Sequence, residues 1–188
     1  MFRCTLTPSF CNQWPEVQFI VNGTNIWQNH VTEKQIVNLE FDLQEENKVE
    51  IVYLNKRAGP DIWDTKIDSE NNILEDQNCI ASDFFVGGSR CDFLLDSLDF
   101  YHDSGVIDKN CNGFMSKKGR FVFNFPKDIY KWVSEKRNQF ILKQFGESDK
   151  ESSLSYFENF NQINSELITD LLKKIDSLLE DISNLEKS

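Results

Sequence analysis

Asp61, Asp64, Asp68, Glu70 and Asn72 place five oxygen-bearing side chains within twelve residues. Calcium takes about six to eight oxygen ligands, so a loop of this composition is where a calcium site would be sought. The spacing Asp68-x-Glu70-x-Asn72 copies the first three ligand positions of an EF-hand loop. The copy fails further on: Ile73 stands where the sharp turn needs glycine, and Cys79 where the bidentate glutamate belongs. The expectation left is a looser loop site for possible Ca2+ on Asp61, Asp64 and Asp68, set against a solvated acidic turn. Trp63 in the same loop and Tyr101 further on could stack on sugar rings, because an aromatic side chain offers an apolar face beside a polar edge. Trp14 and Trp27 have the same chemistry, but tryptophan more often anchors a core. Asp92, Asp96, Asp99, Asp103 and Asp108 are further carboxylates. A glycosidase needs two carboxyl groups about 5 to 10 Å apart, a separation that chain spacing does not dictate.

The remaining chemistry is sparse. Cys4, Cys11, Cys79, Cys91 and Cys111 are odd in number, widely spaced and without a C-x-x-C pair, so they read as reduced and mostly buried. With His30 and His102 as the two histidines, four-ligand zinc patterns are missing and a nucleophile has few bases to activate it. No phosphate-cradling glycine motif and no H-E-x-x-H occurs. The expectation is a non-enzymatic protein without a resident cofactor. A net charge of −11 has the wrong sign for neutralising phosphates or an anionic bilayer, so neither nucleic acid nor a membrane is an expected partner. No apolar run nears the roughly 20 residues of a membrane span, and the first eleven residues lack the pattern of a signal peptide.

These residues sit on elements that the sequence pattern places. Val17 to Val21, Asn22-Gly23 and Thr24 to Trp27 form a hairpin signal, since Asn-Gly supplies the positive φ angles of a two-residue turn. Apolar and polar residues alternate over 37–43 and 48–54, and 79–86, 92–102 and 120–125 are further strand candidates. Many short strands with little helical period between them predict a mainly β fold: an antiparallel jelly-roll-like β-sandwich over residues 1–126, followed by two α-helices. The first helix, 127–146, is expected to open at Pro126. Between 127 and 143 it carries five basic and two acidic residues, which suits either a cap on the sandwich or docking on an acidic surface.

The last segment, 147–188, carries coiled-coil heptads. Ile168, Ile175 and Ile182 fall seven apart, as do Leu171, Leu178 and Leu185, giving isoleucine at every a position and leucine at every d. Leu172 and Leu179, both at e, widen the stripe, so a dimer and a trimer are both expected outcomes. A helix from 149 to 187 would run about 58 Å at about 1.5 Å per residue, longer than a small sandwich is wide. These eight residues are therefore the expected interface with further copies of the chain or with another protein.

Several stretches together resemble carbohydrate-binding-module-type β-sandwiches. They are the run from Val17 to Trp27, the strand from Lys48 to Lys56, the segment from Asp64 to Asp76 and the run from Gly119 to Pro126. Such domains are common among virion proteins of marine tailed phages. The resemblance implies a jelly-roll module built into a tail, baseplate, neck or capsid surface, made in the host cytoplasm, with other virion proteins as partners. It also implies the alternative of a calcium-dependent glycan-binding module acting in host-surface recognition.

Overall fold

The computed structural model describes residues 1–57 and 64–145. The heptad residues from Ile168 to Leu185, together with Asp61 and Trp63, lie outside the described residues. Strands β1 (Phe2–Ser9), β2 (Glu16–Val21), β3 (Thr24–His30), β4 (Gln35–Leu39) and β5 (Glu46–Tyr53) lead into a hairpin of β6 (Thr65–Ile67) and β7 (Ile73–Asp76). Then follow β8 (Asn78–Val86), β9 (Ser89–Arg90), a 3-10 turn over Asp92–Ser97, β10 (Phe100–His102), β11 (Ile107–Asp108), β12 (Phe114–Met115), β13 (Gly119–Pro126) and helix α1 (Ile129–Phe145).

The strands form a five-stranded sheet, ordered β12-β8-β1-β4 with β9 beside β8, and a six-stranded sheet, ordered β11-β10-β13-β5-β2-β3. Hairpin β6–β7 is a two-stranded sheet of its own. The alternation that predicted strands also decides which way each residue faces. On β13, Phe121, Phe123 and Phe125 are buried while Arg120 and Asn124 are exposed. Rings from the two sheets meet in one core: Phe123 lies 5.4 Å from Phe2 of β1 and 4.9 Å from Phe84 of β8. Each such side chain contributes about 1.5–3 kcal/mol through burial, and the two faces close into a mainly β, antiparallel sandwich.

Local chemistry sets the turns. Asn22 (φ 50°) and Gly23 (φ 83°) make the expected hairpin turn, and Asn22 Oδ1 accepts the Lys48 backbone N–H at 2.8 Å. Gly113 (φ 77°) has no substitute, because a Cβ there would lie 1.9 Å from the Ala81 carbonyl oxygen.

Three boundaries differ from the sequence expectation. β4 stops at Leu39, whose pairing partner is Phe2, the first residue of β1. Phe41 and Leu43 continue the alternation and pack on the core without a strand. The segment 92–102 is not one strand: Asp92 Oδ1 accepts the Phe84 N–H at 2.9 Å and the chain winds through the 3-10 turn before β10 begins. Pro126 ends β13, paired with Glu46, instead of opening the helix. The helix cap is Asp128, whose Oδ1 accepts the Lys131 N–H at 3.1 Å.

At the start of α1, Ile129 and Val133 are buried in the same core and Trp132 stands 5.8 Å from Phe125. This is the cap on the sandwich that its amphipathic spacing allowed. Among the described residues, no helix is long and apolar enough to cross a membrane.

Candidate functional site

The acidic segment that opened the sequence reading is hairpin β6–β7, and its base is a buried polar lock. Lys56 is 7% exposed. Its Nζ donates to the carbonyls of Asp64 (2.9 Å) and Gln77 (2.6 Å) and pairs with the Asp76 carboxylate, to which the Thr65 hydroxyl also donates. Asp64 is fully buried. It accepts from the Arg57 guanidinium at 2.9 Å, the Arg57 backbone N–H at 2.8 Å and the Gln13 amide at 3.2 Å. Burial alone would raise this carboxyl, but the Arg57 guanidinium and backbone N–H, with Gln13, hold it below the ordinary 3.8.

Asp68 closes the turn at the other end of the hairpin. It accepts from the Asn72 side-chain amide (2.9 Å) and backbone N–H (2.9 Å) and from the Glu70 N–H (2.8 Å), bonds that lower its pKa, those of Asn72 most. The structure therefore does not bring Asp64 and Asp68 to one point: one faces Arg57 at the base, the other is spent on its own turn. Asp61, the third residue of the expected calcium set, lies outside the described residues. Among the described residues, no group of three or more His, Cys, Asp or Glu side chains could hold a metal ion.

Tyr101 belongs to a different place, the outer face of the six-stranded sheet. Strand register puts Gln28, Gln18, Val52, Arg120, Tyr101 and Ile107 in one row across β3, β2, β5, β13, β10 and β11. At about 4.8 Å between neighbouring strands, that row spans about 24 Å. Its polar members are tied to one another and to the next row. Gln18 Nε2 donates to Gln28 Oε1 at 3.1 Å, Asn25 Nδ2 donates to the same oxygen at 3.2 Å, and Gln28 Nε2 donates to Glu16 Oε1 at 2.7 Å. A primary amide has two N–H donors and a carbonyl with two lone pairs, so these contacts use up the Gln28 carbonyl but leave Gln28 one N–H and Gln18 one N–H and its carbonyl.

Beside the row, Glu50 has only 8% of its side chain exposed. Lys48 reaches one carboxylate oxygen at 3.1 Å and Arg120 the other at 3.4 Å. The Oε1 that faces Arg120 is buried and has no hydrogen-bond partner, so the contact on that side is purely ionic. The face thus offers amide donors and acceptors, a carboxylate, a half-exposed guanidinium and a phenol ring 39% exposed.

Sequence reasoning found Tyr101 but missed Gln18, Gln28, Glu50 and Arg120. Gln18, Glu50 and Arg120 are outward residues of alternating strands, a signal that was present, while Gln28 lies on β3, exposed at every residue but Trp27. What was absent was the knowledge that β2, β5, β13 and β10 are neighbours. Trp27 packs against the core, meeting Phe19 edge-on at 5.4 Å, whereas Trp14 lies 4.9 Å from the ring of exposed Phe10.

The cysteines are all free. Burial pushes the Cys4 thiol far up, Cys79 up to about 12 and Cys91 up to about 11, so these three stay protonated at neutral pH. His102 Nε2 lies 2.7 Å from Asp108 Oδ2, with the Phe100 ring edge-on at 5.1 Å, and this pair ties β10 to β11.

No protein-family model and no curated protein matches the chain. Among solved structures, one described as vCBM60 in complex with galactobiose is similar over 65% of this chain and 99% of its own, with a TM-score of 0.39 and 12% identity. The sandwich itself is established by strand order, register and the ring contacts between sheets.

Proposed function

We propose that the chain is a non-enzymatic recognition module that binds a glycan on the outer face of its six-stranded sheet. One observation carries this: the register row that sets the Gln28 and Gln18 amides, Arg120 and the Tyr101 ring on one exposed surface across the sheet. Sugar hydroxyls both donate and accept hydrogen bonds, as primary amides do, and a sugar's C–H face packs on an aromatic ring. The jelly-roll reading of the sandwich is supported by the way the chain alternates between the sheets, at β1 to β2, β3 to β4 and β4 to β5. The test is a glycan array followed by calorimetry with and without calcium. Binding at micromolar strength, weakened at least tenfold by Tyr101→Ala and unchanged by EDTA, is the expected result. Retention of full affinity in Tyr101→Ala, or loss of binding in EDTA, counts against this site.

A second reading concerns assembly. The chain would act as a structural component, in line with the virion resemblance a tail, baseplate or neck protein, joined to copies of itself or to a neighbour by its C-terminal segment. It is favoured by the seven-residue spacing of Ile168, Ile175 and Ile182 and of Leu171, Leu178 and Leu185. Light scattering on the intact chain and on Ile175→Asp tests it, with a fall to the monomer mass expected in the variant.

A further inference from the structure

The two cations beside the row on the proposed glycan face already share one buried carboxylate, and from this we infer that the face selects uncharged glycans and rejects uronic-acid and sulfated ones. The inference rests on the glycan-binding reading above. The cations beside the row, Lys48 and Arg120, approach the same carboxylate from opposite sides, at 3.1 Å and 3.4 Å. Glu16, a second carboxylate on the face, is engaged by Gln28 at 2.7 Å, and Glu46 at the start of β5 is a third. Two cations stand against three carboxylates there, on a chain whose net charge is −11.

An acidic sugar needs a cation free to answer it, and drawing Arg120 away would leave Glu50 with Lys48 alone. Glu50 is the costly member to strand, because it is buried and its Oε1 has no hydrogen-bond partner. The long-range field of an acidic protein adds repulsion of polyanions before contact. Neutral hydroxyls face no such barrier: the Gln18 amide can answer them in either hydrogen-bonding sense, and Gln28, whose Oε1 already accepts from Gln18 and Asn25, has an N–H left to donate. Glu50 is therefore the specificity-determining residue: it holds the two cations in check.

The experiment measures binding to galactan, xylan, mannan and β-glucan, and to polygalacturonate and a sulfated galactan, at low and high sodium chloride. The expected result is binding to at least one neutral polymer, with less than a twofold change in affinity across the salt range, and affinity for the acidic polymers at least tenfold weaker. Glu50→Gln, checked for folding by circular dichroism, is expected to gain at least tenfold for an acidic polymer, and that gain should vanish in high salt. Preferential, salt-sensitive binding of polygalacturonate or the sulfated galactan by the unaltered protein overturns the charge argument while leaving the glycan site in place. Binding of no polymer at all overturns the glycan site and this inference with it. The salt dependence of the unaltered protein decides the matter even if Glu50→Gln does not fold.

Discussion

The two faces of the six-stranded sheet are built from the same strands and face opposite fates. On β5, Val49, Ile51 and Tyr53 turn inward to full burial while Lys48, Glu50 and Val52 turn outward. On β13, Phe121, Phe123 and Phe125 are core and Arg120, Val122 and Asn124 are surface. The inner face is held by area and close ring contacts, and nothing about it is specific to a ligand. The outer face buries little, yet it is where donors, acceptors and charges are set against each other in fixed register. Stability and the proposed recognition thus fall on opposite sides of a single strand, residue by residue, because a period of two assigns each to its own side.

Substitutions can break that separation or sharpen it. The largest expected effect is inside: Phe123→Ala, which removes a ring touching both Phe2 and Phe84, is expected to cost about 3–5 kcal/mol in denaturant unfolding. A loss below about 1 kcal/mol would mean that the sheets are not packed as described. Next comes the lock under hairpin β6–β7, a polar exception to the apolar interior. Lys56→Ala strips the buried partner from Asp76 and from two carbonyls and is expected to cost about 3 kcal/mol.

Asp64 makes the same lock sensitive to pH. Its folded pKa lies below the unfolded value of 3.8, so its contribution is complete above that value and is lost as pH falls through the folded pKa. An acid-unfolding series should show Asp64→Asn less stable than the unaltered protein near neutrality, with the difference shrinking below pH 3.8. A constant difference down to the acid limit would remove the ion pair from the account. The smallest expected effect is outside: Tyr101→Ala should change unfolding stability by no more than about 0.5 kcal/mol while weakening glycan binding. If stability fell as much as in Phe123→Ala, the outer face would be core by another name.

Much of the fold was legible. The Asn22-Gly23 turn needs only two residues and their tolerance of positive φ, and the Phe121, Phe123 and Phe125 alternation needs only a strand's period. β1 carried the same signal in Phe2, Cys4 and Leu6 and was passed over. Where the reading failed, a distant partner had intervened. The ladder of β4 with β1 ends at the pair Leu39 and Phe2, and in the 92–102 segment the Asp92 carboxylate accepts the Phe84 N–H. In the acidic loop, too, partners decide what spacing does not: Arg57 and Gln13 engage Asp64, while Asn72 engages Asp68.

Periodicity and turn chemistry are local, so the strands, the reduced cysteines, the acidic surface and the heptad spacing are properties of the chain before it folds. Adjacency is not local. That Gln18 stands beside Val52, Val52 beside Arg120 and Arg120 beside Tyr101 follows from the order in which β2, β5, β13 and β10 pair. That order is decided by which set of apolar faces buries most completely at once, a property of the assembled core that no stretch of the chain carries alone.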